Sequence, residues 1–277
     1  MDLPSFPQLP AWLKTALVVV LGLWLAALGL DRAFQAGISW KNLNHWQNPS
    51  STNDTIAVTA EGKVTAIPDI GLVNLSVENR GGTVAEVLAR LGVGRLTLVD
   101  GDRFEDSNLN RQLLSTVEGL GQLKSEAAQA RVGRINPSVD VNALAEFVTA
   151  DNAGAVLEGC NVVVDCLDNL RTRFVVEDAC RRIGCPLVSA AVAGASGHVT
   201  TIFPEDTGLR LIYGEPGQLP LKGAETALGT LPHTVVFLAT LECAEVVKVI
   251  LKKGSLLRHK LLVADLMDGI VEVMNLR

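Results

Sequence analysis

The chain has no CxxC pair, and its cysteines, at 160, 166, 180, 185 and 243, are odd in number with no repeated spacing. That pattern excludes a disulfide framework and points to reduced thiols, the state that fits cytosolic chemistry. Basic charge is also short. There are 24 Lys and Arg against 30 Asp and Glu, a net charge of -6, and the cations are scattered. A nucleic-acid footprint is excluded on that ground. His198, His233 and His259 lack ligand-like spacing and read as structural or solvated. What is left is a 277-residue chain, enough for one large α/β domain or two smaller ones with a buried core.

Charge is absent altogether from Ala16 to Leu30, ALVVVLGLWLAALGL, between Lys14 and Asp31-Arg32. With Ala11, Trp12 and Leu13 ahead of it, the run approaches the length of a membrane helix. A signal-peptide core and a buried helix are the alternatives. No convincing cleavage site follows, so residues 1–32 read as an uncleaved anchor, with too few flanking charges to fix its orientation. Residues 33–54 read as a polar linker. Two alternating runs, Ile56–Thr59 and Gly71–Glu78, then surround Glu61-Gly62-Lys63 as strand, turn, strand. Residues 33–80 thus form a linker and hairpin resembling the opening of the SIMPL family of envelope proteins, without that family's body.

The most informative stretch is Leu96–Gln112, LTLVDGDRFEDSNLNRQ. An apolar strand ends in Asp100, where an open α/β sheet holds a nucleotide's ribose. Ser107, Asn108 and Arg111 follow, and an arginine fork suits phosphate oxygens. A solvated acidic loop after a core strand is the alternative reading. The segment resembles the signature of the ThiF/MoeB/HesA family, relatives of the ubiquitin-activating enzymes. That resemblance runs from about residue 81 to the C-terminus. It implies a Rossmann-like α/β fold with a mostly parallel sheet.

Just ahead, Val84, Val87, Leu88 and Leu91 recur at helical spacing, with Thr83 and Glu86 forming a capping-box pattern. In the family this helix follows a GxGGxG phosphate turn after an apolar strand. Only Gly81 and Gly82 remain here, behind Val77-Glu78-Asn79-Arg80. Backbone approaches phosphate only where no Cβ intervenes, so the incomplete turn implies weakened nucleotide binding. Arg80 either adds a cation there or blocks the approach.

Downstream, Gly121–Lys124 opens a helix through Ile135 that Asn136-Pro137 stops. The family lysine at position 124 contacts ATP phosphates; a solvated first-turn lysine is the alternative. A buried strand, Asn161–Asp165, leads to Cys166-Leu167-Asp168-Asn169. The resemblance gives Asp168 a role in holding magnesium, with Asn169 beside it; one carboxylate suffices when water and phosphate complete the shell. Asp168 could equally cap the helix Leu170–Ile183. Further strands fall at Pro186–Ala190 and His198–Phe203, a polar loop at Pro204–Thr230, an apolar helix at Thr234–Leu251, and a terminal hairpin over Lys260–Asp265 and Gly269–Asn275. Relatives with structural zinc carry two CxxC pairs, so none is expected here. Their reactive cysteine lies in the crossover loop, which has none in this chain, and Cys166 and Cys243 read as core thiols.

The implied activity is ATP-dependent adenylation of the C-terminal carboxylate of a small ubiquitin-like or sulfur-carrier protein. Asp100 would hold the ribose, Gly81 and Gly82 the phosphate turn, Asn108, Arg111 and Lys124 the phosphates, and Asp168 the magnesium ion. The family usually works as a homodimer. The anchor reading would tether a cytoplasmic nucleotide-binding domain to the membrane. Two other readings stay open: a catalytically impaired binding module, and an NAD-type dinucleotide oxidoreductase, because an acid some 20 positions past a glycine turn is also the dinucleotide ribose signal.

Overall fold

Short β-branched runs such as Val162-Val163-Val164 are too apolar for a sheet with one wet face, and they alternate with amphipathic stretches. That combination dictates parallel strands covered on both sides by helices. The structure, a computed structural model, describes residues 71–75, 80–218 and 228–276, with backbone only for 71–75 and 218. One compact unit spans Thr65–Arg277. The predicted anchor and linker lie outside the described residues. Among those described, no helix is long and apolar enough to cross a membrane.

The described chain runs β1 (Gly71–Leu75), α1 (Gly81–Arg90), β2 (Arg95–Val99), α2 (Lys124–Ile135), β3 (Asp140–Leu144), α3 (Ala153–Val156), β4 (Val162–Asp165), α4 (Leu170–Ile183), β5 (Leu187–Ala193), β6 (Ser196–Ile202), α5 (Arg210–Tyr213), α6 (Pro232–Leu251), β7 (Lys260–Asp265) and β8 (Ile270–Asn275). The sheet order is β3-β2-β1-β4-β5-β6-β7-β8. The first five are parallel, and β5 to β8 continue as an antiparallel meander. Strand order reverses between β1 and β4, so the crevice beyond their C-terminal ends is the switch point of the sheet.

Alternation along β4 divides the core in two. Val162 and Val164 join Leu88, Leu96, Val132 and Leu238 under α1, α2 and α6. Val163 faces Phe174, Val176 and Leu187 under α3 and α4. Each fully buried leucine, such as Leu88, contributes about 1.5–3 kcal/mol by its removal from water.

Several boundaries shift from the sequence reading. Helix α1 begins at Gly81, not Thr83, and no side chain caps it at Arg80. The Thr83–Glu86 box does not form, because Glu86 is drawn to Arg90 at 2.8 Å and to Arg131 at 2.9 Å. Tertiary charge outcompetes local capping there. Helix α2 begins at Lys124, and the residues before it lie in a turn. Strands β5 and β6 run three residues further and two residues earlier than expected, making a tight hairpin across Gly194 and Ala195. The polar loop holds α5 and a 3-10 turn at Pro216–Gln218.

Candidate functional site

Strand β2 delivers Asp100 to the C-terminal edge of the sheet, where its N–H donates to Leu144 O at 3.0 Å. The turn beyond is stitched to α2. Asp102 N–H donates to Asp100 Oδ1 at 2.8 Å, Ser125 Oγ donates to Asp100 O at 3.1 Å, and Lys124 N–H donates to Asp102 O at 3.0 Å. Lys124 Nζ reaches Asp102 Oδ2 at 3.2 Å with its side chain buried. This lysine is therefore not a solvated first-turn residue. Gly101 lets the turn pass beneath Phe147; a Cβ there would stand 2.8 Å from the ring.

Across the switch point, the loop after β4 carries Asp168 and Asn169. Asn169 Oδ1 accepts from Thr172 N–H at 2.9 Å and caps α4. The capping role considered for Asp168 thus belongs to its neighbour, and Asp168 is left facing the crevice. Asp100, Asp102, Glu146, Phe147, Asp168 and Asn169 together wall a cleft of about 140 Å³. Of the residues singled out from sequence, Asp100, Asp168 and Asn169 share this cleft, and Lys124 adjoins it through Asp102.

The signature loop sits apart from those walls. Asn108 Oδ1 accepts from Glu105 N–H at 3.0 Å, and Asn108 Nδ2 donates to Ser107 Oγ at 3.3 Å. Arg111 folds over the same turn, donating from Nη1 to Ser107 O at 2.5 Å and to Asn110 Oδ1 at 2.9 Å. Gly81 and Gly82 form the buried first turn of α1. At Gly82 a Cβ would lie 2.7 Å from Leu114, so close packing between α1 and the loop requires glycine there.

Arg80 neither offers its charge to the crevice nor blocks it. The side chain runs into the core, where Nε donates to Glu242 Oε2 at 3.1 Å and Nη2 to Asp165 O at 3.0 Å and Ala190 O at 2.6 Å. Burial opposes the Arg80 charge, but Glu242, Cys166 and Asp165 together outweigh it and hold the guanidinium protonated. The Glu242 carboxyl is pushed up to about 7 by burial, with Asp165 adding to the shift against the pull of Arg80. Arg173 closes a second buried link. It donates to Asp165 Oδ2 at 2.8 Å and to the carbonyls of Ala190 and Leu167, the latter directly before Asp168. Ser189 Oγ donates to Asp165 Oδ2 at 2.7 Å. The loop bearing Asp168 is thereby fixed from beneath. Sequence reasoning missed Asp102, Asp165, Arg173 and Glu242; the available signal was Glu242 and Glu245 in an otherwise apolar helix, since acids there call for buried partners.

Other chemistry is muted. His198 bonds Tyr213 Oη at 2.8 Å, and burial, with the Arg173 and Arg80 charges, lowers its pKa to about 4. It stays neutral near pH 7. Burial pushes Cys160 and Cys185 up to about 12, and Cys166, Cys180 and Cys243 also upward. The native chain is therefore expected to react with Ellman's reagent at pH 8 far more slowly than the chain unfolded in guanidinium, because only the thiolate attacks. Rapid labelling of even one thiol in the native chain would contradict this. Among the described residues, no group of three or more His, Cys, Asp or Glu side chains could hold a metal ion.

Comparison with known proteins places this geometry. The chain is 36% identical over 200 residues to the SAMP-activating enzyme E1 of Haloferax volcanii, covering 71% of this chain and 73% of that protein. It is 35% identical over 208 residues to the sulfur carrier protein adenylyltransferase of Thermus thermophilus, covering 70% and 74%. Its fold matches the crystal structure of E. coli MccB with ATP at a TM-score of 0.65 and 21% identity, over 76% of this chain and 65% of that one. The ThiF family matches residues 79–277, and the chain belongs to that family.

Proposed function

We infer that the protein adenylates the C-terminal carboxylate of a small ubiquitin-like or sulfur-carrier protein. In this reaction a carboxylate oxygen attacks the α-phosphorus of ATP, the bond to the bridging oxygen breaks, and pyrophosphate leaves. The observation that carries the reading is the crevice at the β1/β4 switch point, where Asp100, Asp168 and Asn169 converge and Asp102 brings Lys124 alongside. The named relatives support it, being activating enzymes and adenylyltransferases rather than oxidoreductases.

Each residue has a definite task. Asp100, at a strand tip, accepts from the ribose hydroxyls. The α1 N-terminus, with Gly81 and Gly82, supplies backbone N–H groups and a favourable dipole for phosphate. Lys124 and Arg111 neutralise charge that grows on phosphate oxygens in the transition state, so the protein needs cations rather than a nucleophile. Lys124 meets phosphate by exchanging its Asp102 contact, and Arg111 by leaving its own turn. A magnesium ion would screen the phosphate charge, with Asp168 as its protein ligand and water and phosphate completing its shell. Arg173 steadies the Asp168 loop through the Leu167 carbonyl.

A second reading is a module that binds nucleotide without turning it over. The withdrawal of Arg80 into the core favours it, since the charge beside the two glycines is spent on Glu242. ATP–pyrophosphate exchange by the full chain separates the two, with the Thermus thermophilus sulfur carrier protein as substrate. Exchange that depends on the carrier's free C-terminal carboxylate is the expected result. ATP binding without exchange would establish the module instead.

A further inference from the structure

Gln112 follows Arg111 in the signature loop and is 4% exposed, yet neither its Oε1 nor its Nε2 has a hydrogen-bond partner. Two hydroxyls nearby share that state: Thr83 Oγ1 and Ser115 Oγ are also buried and unpartnered. These groups belong to one locality. Ser115 N–H donates to Gln112 O at 2.9 Å, and Leu114 between them packs on Gly82, the neighbour of Thr83. More than nine in ten buried polar groups find a partner, so three orphans around one helix N-terminus call for a ligand.

The donor set selects that ligand's chemistry. Phosphate oxygens only accept, so a phosphate would leave Gln112 Oε1 facing negative charge. One extended residue of a peptide points its own N–H and its own carbonyl to the same side, offering a donor to Oε1 and an acceptor to Nε2, and it matches a carboxamide on both counts. Hydroxyls serve either role. We propose that Gln112, with Thr83 and Ser115, is a positioning residue that grips the N–H and carbonyl of one extended residue near the end of the carrier's C-terminal tail. That grip holds the terminal carboxylate beside the nucleotide. The proposal rests on the adenylation reading and names its substrate-recognition element. In this conformation the three groups are closed to solvent, so the 112–115 turn lifts from α1 as the tail enters.

Gln112→Met removes both hydrogen-bonding groups at nearly constant shape. In ATP–pyrophosphate exchange by the full chain with the Thermus thermophilus carrier, KM for the carrier should rise about tenfold or more, with KM for ATP and kcat nearly unchanged. The melting temperature should hold or rise, because a buried amide without a partner has gone. Thr83→Val should act in the same direction more weakly. An unchanged carrier KM would assign the orphans to trapped water and overturn the proposal. So would a rise in KM for ATP alone, or a fall in melting temperature with both KM values shifted. If the wild type showed no exchange, the adenylation reading would fall and this proposal with it, whereas an active wild type with an unaffected variant removes this proposal alone.

Discussion

Arg80→Met should lower the melting temperature of the full chain by roughly 10 °C at pH 8.5, because it leaves Glu242 buried without its counter-charge at a cost of about 3–5 kcal/mol. Both side chains are essentially inaccessible, at 1% and 0% exposure. Water cannot replace the lost partner. Two further carbonyls, of Asp165 and Ala190, lose the same donor. The double variant Arg80→Met, Glu242→Met should regain most of the loss, since a buried ion pair is often no better than apolar side chains of like volume.

The pH dependence of that penalty has a fixed sign. Glu242 has a folded pKa of about 7 against 4.5 for the ordinary group, so between those values the folded chain holds a proton that the unfolded chain has lost. Stability from this group is therefore lost as pH rises from about 4.5 to about 7. Removing Arg80 takes away a charge that pulls the Glu242 pKa down, and the losing window extends above 7. The penalty in Arg80→Met should be smaller at pH 5.5, where Glu242 is neutral in both proteins. Thermal melts at the two pH values give the comparison, and an equal penalty at both would show that Glu242 does not carry it.

Legibility followed the range of the interactions. The strand Val162–Asp165, the helix ending at Ile135 and the hairpin of β7 and β8 were readable, because apolar periodicity and turn residues act within a few positions. The position of Asp100 at a strand tip was readable because topology sets it, and the resemblance pointed to Asp168 and Asn169, which line the same cleft. The cap of α4 was not, since Asp168 and Asn169 are both good caps and only geometry separates them. Arg80 was hardest. Its partners lie 85, 110 and 162 positions away, and nothing local says that a residue beside two glycines turns inward. Asp102 was overlooked for the opposite reason: it lies two residues from Asp100, in a turn where a carboxylate needs no explanation until Lys124 is found against it.

Arg111→Ala and Lys124→Ala should each slow ATP–pyrophosphate exchange by about 2–4 kcal/mol of transition-state stabilisation, roughly 30- to 1,000-fold in kcat/KM. Neither change should unfold the chain. Arg111 donates within its own turn, to Ser107 O and Asn110 Oδ1, and Asp102, which Lys124 contacts, is a third exposed and stays solvated when left alone. The two cations differ in what can replace them. A guanidinium presents two parallel N–H groups to a pair of phosphate oxygens, and an ammonium is a single compact charge. Arg111→Lys should therefore recover little of the loss, while Lys124→Arg should fail for lack of room at a side chain only 2% exposed. Asp102→Asn tests the lysine's tether: it keeps the shape but removes the charge that holds Nζ, and it should raise KM for ATP more than it lowers kcat. Wild-type exchange in both alanine variants would mean that the charge building on phosphate is met elsewhere, and these two residues would lose their place in the reaction.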